Sequence, residues 1–97
     1  MLSKRYPRMY ELFGAYLNQD FDIWGNTVEE IVAHYKEDSS PGFHREMIGE
    51  INKFIGEHPL DLDAALNAEY YNGFNYKLFG YPTAASFLDD LKKLLQE

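Results

Sequence analysis

No cysteine occurs among the 97 residues, which excludes disulfides, thiolate metal sites and thiol chemistry, and suits a reducing compartment. Long apolar runs are missing as well, since nothing approaches the roughly 20 residues that a membrane-spanning helix needs. The opening MLSKRYPRMY carries positive charge but neither an apolar run nor a small-residue cleavage site. It does not read as a signal peptide, and a cytoplasmic location is expected. Bases are scarce. Nine lysines and arginines face sixteen carboxylates, for a net charge of −7. Between Glu11 and Asp38, seven carboxylates face Lys36 alone. Such a chain repels phosphate backbones and attracts basic partners at long range, so direct nucleic-acid binding is not expected.

Catalytic motifs are equally sparse. The seven glycines form neither GxGxxG nor GxxxxGKS/T, and no serine sits in a GxSxG elbow. His34, His44 and His58 are the only imidazoles; none belongs to HExxH, and no two stand four apart. No metal or cofactor is expected. The acid pairs Asp20/Asp22, Asp61/Asp63 and Asp89/Asp90 would need one desolvated member to act as a general acid, and no pocket for that is visible in the sequence.

What is present points to a packed globule: 45% hydrophobic and 16% aromatic residues in a length suited to one domain, residues 1–97. A chain of this size buries roughly 60–70% of its unfolded surface, enough to fold without staples. The pattern predicts an all-α fold, a compact bundle of about five helices with an aromatic-rich loop before the last. Pro7 suits a first helical turn, and Tyr10, Phe13 and Leu17, widened by Met9, Leu12 and Tyr16, form an apolar face. Gly14 on that helix suggests a close helix neighbour. Thr27 and Glu30 fit a capping box before the stripe Val28, Ile31, Val32 and Tyr35.

Ser40 with Pro41 opens the next helix, whose stripe runs through His44, Met47, Ile48, Ile51, Phe54 and Ile55, and Gly56 is expected to end it in the left-handed conformation. A shorter helix follows, capped by Asp61 or Asp63, with Leu62, Ala65 and Leu66 inward. YYNGFNYKLFGYP, residues 70–82, mixes six aromatics with Asn, Gly and Pro and reads as a loop. The last helix starts at Thr83 and carries Phe87, Leu88, Leu91, Leu94 and Leu95. In DFDIWG, residues 20–25, Phe21, Ile23 and Trp24 are expected in the core, with Asp20 and Asp22 capping amides or facing out.

Eight tyrosines in 97 residues is a high count, and tyrosine favours interfaces because its ring buries area while its hydroxyl stays satisfied. Base stacking would call for neighbouring cations, and only Lys77 lies in the aromatic segment. A protein-binding face is the better reading.

The stretch from Tyr6 to Pro41 resembles the opening of a family of small immunity proteins from bacterial contact-dependent growth inhibition systems. Tyr6-Pro7, then Phe13-Gly14 and Tyr16, then Gln19, Asp20 and Asp22 follow the family pattern, while Asn18 stands where a histidine is common and Phe21 where a tryptophan is. Thr27 to Glu30, Ser40-Pro41 and the Phe87–Leu95 helix extend it. The resemblance implies a cytoplasmic, non-enzymatic, all-helical antidote that binds the C-terminal toxin domain of its cognate effector, with no membrane partner. Such toxins are often nucleases with basic clefts, which an acidic partner complements. Candidate contacts are Asp20, Asp22, Glu29, Glu30, Glu37 and Asp38, with Tyr70, Tyr71 and Tyr76. Two other readings remain open on the residues: an acidic regulatory module that sequesters another basic protein, and a small helical hydrolase using Asp20, Asp22 and a histidine.

Overall fold

The computed structural model describes residues 6–17, 21–69 and 76–96. Five α-helices and no strand occur among them: α1 (Pro7–Ala15), α2 (Val28–Glu37), α3 (Pro41–Glu57), α4 (Leu62–Glu69) and α5 (Ala84–Gln96), with short 3-10 turns at Phe21–Ile23 and Tyr76–Phe79. The expected all-α bundle is what the chain adopts.

The last helix organises the rest. α5 packs against α2, α3 and α4, and α1 lies on α3. Ala84, Phe87, Leu88, Leu91 and Leu95 are buried along one side of α5, the a/d-like stripe a core-facing helix requires. Met9, Leu12 and Phe13 of α1, then Val28, Ile31, Val32 and Tyr35 of α2, then Met47, Ile51 and Phe54 of α3 close the core around it.

Polar groups tie the helix ends together. Thr27 and Glu30 form the full capping box of α2. The Glu30 carboxylate accepts from the Asn26 and Thr27 amides at 2.9 and 3.2 Å. Gly25 makes this possible, because a Cβ there would come within 2.5 Å of the Glu30 Cβ. Ser40 accepts from the Phe43 amide at the start of α3. The first turn of α1 has no side-chain cap of its own. Its orphan donors are met instead from α3, where Glu50 accepts from the Arg8 and Met9 amides, both at 2.9 Å. Lys36 donates to the Leu94 carbonyl near the end of α5 at 2.9 Å, satisfying an orphan acceptor there.

Several expectations are overturned. Gly56 lies inside α3, which runs on to Glu57, and the left-handed glycine among the described residues is Gly80 (φ 91°) after the second 3-10 turn. Gly14 has open space where its Cβ would be, so it marks no close helix neighbour. Ile23 is exposed rather than core. Trp24 is only partly buried: its ring meets Tyr16 at a tilt, 4.7 Å between centroids, and it donates from Nε1 to the Ala15 carbonyl. The two acids expected to cap α4 also have partners elsewhere. Asp61 pairs with His58 at 3.3 Å, and Asp63 reaches across to the Tyr76 hydroxyl and the Ala84 amide.

Candidate functional site

A cleft of about 440 Å³ opens between α1, the end of α2 and the start of α3. Tyr10, Glu11, Gly14, Ala15 and Tyr16 line it from α1 and just beyond; Tyr35, Asp38, Ser39 and Phe43 line it from the other side. Its geometry follows from helical spacing. Met9, Leu12 and Phe13 turn toward the core, so Tyr10 and Gly14, one turn apart, fall on the flank. Nothing lies within 4 Å of the Cβ direction of Gly14.

Tyr10 and Phe43 are 52% and 40% exposed, unusually open for such rings. At the rim, the Arg8 guanidinium lies 4.3 Å over the Phe43 ring and bonds Glu11 at 2.8 Å. Tyr16 donates its hydroxyl to Asp38 Oδ2 at 2.9 Å. Burial, and then that hydrogen bond to a carboxylate, push the Tyr16 phenol up to about 12. Tyr35 is 2% exposed, and its hydroxyl has no hydrogen-bond partner. Ser39 stands beside it but donates to the Tyr35 carbonyl at 2.6 Å and pairs with His44 Nε2 at 2.7 Å. Burial, then the Glu11 carboxylate, push the Tyr35 phenol above its ordinary range.

His44 closes the back of this network, in ring contact with Tyr35 at 5.8 Å. Burial, then the Lys36 and Arg45 charges, hold it below its ordinary 6.5, so the fold favours the neutral ring. Its contribution is therefore complete above pH 6.5 and is lost as pH falls through the lowered value. Urea midpoints measured from pH 7.5 to 5 are expected to fall more steeply for the native chain than for His44→Gln. Equal slopes would mean that His44 is not the acid-sensitive group.

The acidic candidates divide. Asp22, Glu29, Glu37 and Asp38 are exposed, and Asp38 lines the cleft. Glu29 and Glu37 sit eight residues apart on α2, about 12 Å along the axis. Glu30 is exposed as well, with its Oε1 serving the capping box. Tyr76 is 3% exposed, stacked on Phe87 at 5.7 Å and hydrogen-bonded to Asp63. It packs the loop onto the core instead of facing a partner, because burying a flat ring against Phe87 outweighs exposing it. Asp20, Tyr70 and Tyr71 lie outside the described residues. Tyr10, Glu11 and Phe43 were not among the expected contacts. The available signal was the shift of the α1 stripe to Met9, Leu12 and Phe13, which leaves Tyr10 beside it. Among the described residues no group of three or more His, Asp or Glu could hold a metal ion, and no helix is long and apolar enough to cross a membrane.

Fold and site together define a small helical domain that presents an acidic, aromatic-walled cleft. The family model of the CdiI immunity protein matches residues 5–95, and the chain belongs to that family. Membership connects it with immunity to a toxin of contact-dependent growth inhibition. No curated protein and no solved structure matches the chain.

Proposed function

We propose that the chain neutralises the C-terminal toxin domain of its cognate effector in the cytoplasm by stoichiometric binding, without catalysis of its own. The toxin in this reading is a nuclease whose basic substrate cleft meets the acidic surface. The family match over nearly the whole length is the observation that carries the reading; a net charge of −7 supports a basic partner. Asp22, Glu29, Glu37 and Asp38 supply the attraction, joined by Asp20, Tyr70 and Tyr71. Glu30, exposed while its Oε1 caps α2, adds to that charge, and Tyr76, buried in the core, belongs to the scaffold.

The test is co-expression with the toxin domain of the effector encoded beside this chain. A one-to-one complex that restores growth is expected. Replacing Glu37 and Asp38 together by lysine should slow association at least tenfold at low salt and flatten its salt dependence. Unchanged rates would remove these two acids from the steering surface, and toxicity that persists despite full expression would refute the antidote role.

A further inference from the structure

The inference rests on the toxin-binding reading and names what the cleft takes from the partner. We propose that the cleft between α1, the end of α2 and the start of α3 receives the side chain of one arginine of the toxin domain. Four observations meet there.

Charge is the first. Glu11 and Asp38 line the cleft. Glu46 and Glu50 stand near its rim, 3.9 Å from the Arg8 guanidinium and accepting from the Arg8 amide. Against these carboxylates stand Arg8 and the exposed Arg45, while Lys36 is drawn off to the Leu94 carbonyl. Asp38 is also pre-oriented, since the Tyr16 hydroxyl holds one of its carboxylate oxygens.

Ring surface is the second. Tyr10 and Phe43 are exposed and Tyr16 is partly so. A planar guanidinium stacks on such faces while it forks across a carboxylate, which an ammonium does less well. The chain supplies its own precedent, since Arg8 stacks on Phe43 and bonds Glu11 at the same rim.

The third is the polar lining. Asp38 and Ser39 stand in the cleft wall beside Tyr35, and carboxylate and hydroxyl oxygens accept from guanidinium N–H groups. The fourth is space. Gly14 leaves its Cβ direction open, and about 440 Å³ lies within the range that holds small ligands, ample for one side chain.

The glycine also provides the test. Gly14→Leu adds a side chain at a residue that lines the cleft without changing any charge. Leucine favours a helix more than glycine does, and nothing lies within 4 Å of the new Cβ, so the variant should fold; its melting temperature checks this. Binding of the effector's toxin domain to the native chain, Gly14→Leu and Asp38→Asn is measured by titration calorimetry. Gly14→Leu is expected to weaken binding at least 100-fold and Asp38→Asn at least tenfold. Arginines on the toxin surface are then replaced singly by glutamine. One is expected to lose binding to the native chain yet cost little further against Gly14→Leu, which is coupling between the two positions. Full affinity of a folded Gly14→Leu, or coupling to an apolar toxin residue only, would overturn the inference and leave the antidote role standing. Failure of the native chain to bind the toxin domain at all would overturn both.

Discussion

Phe87→Ala is expected to lower the unfolding free energy by about 3–5 kcal/mol, the range for emptying a large aromatic site in a packed core. Phe87 is fully buried and stands where three segments meet. Tyr76 stacks on it at 5.7 Å with planes 11° apart, Phe13 of α1 meets it edge-on at 6.0 Å, and Tyr81 at 5.4 Å. Alanine would leave those rings facing a void that α5 cannot close without losing its contacts with α2, α3 and α4. Domains of this size hold only about 5–15 kcal/mol in total, so the loss threatens folding at 37 °C. Urea denaturation measures it; a loss below about 1 kcal/mol would show that the neighbouring rings can refill the site.

Asp63→Ala is expected to cost about 2–3 kcal/mol, as hydrogen bonds to charged groups are worth about 1.5–3 kcal/mol each and this residue is partly solvated. Its carboxylate accepts from the Tyr76 hydroxyl and from the Ala84 amide at the first turn of α5. It thus anchors the aromatic loop and the start of the central helix from α4 at once. Thr83 and Ser86 exchange amide-to-hydroxyl bonds at the same helix start, so α5 itself should persist. What should loosen is the Tyr76–Phe79 turn. Amide hydrogen exchange is expected to rise there and at Ala84 more than along α2. Uniform loss of protection instead would assign Asp63 a global role. Asp63→Asn keeps an acceptor and should recover part of the loss.

Most of the helical framework was readable in advance because it depends on neighbours in sequence. The Thr27–Glu30 box, the Ser40-Pro41 start and the stripes of α2 and α5 are contacts over three or four residues, where spacing alone sets which side chains meet. The cleft was not readable in the same way. Tyr10 looked like one more apolar residue of α1 and Gly14 like a packing glycine. Their meaning depended on how far α1 is rotated about its axis against α3, a quantity to which long-range bonds such as Glu50 to the Arg8 and Met9 amides contribute. Tyr76 failed as a surface candidate for the same reason: a tyrosine in a polar loop carries no local mark of whether its ring turns inward. Ile23 erred the other way, an apolar residue in a short turn that no other element covers.

The amino-acid pattern by itself determined five amphipathic helices, their starts, a cysteine-free core and a surplus of negative charge, because these rest on composition and on spacings within one or two turns. Tertiary structure alone decided which rings are enclosed and which stand open, and that Glu11, Asp38 and Tyr35 share one recess. Such groupings join residues up to 33 positions apart (Tyr10 to Phe43), and only the packing of α1, α2 and α3 against one another brings them within reach.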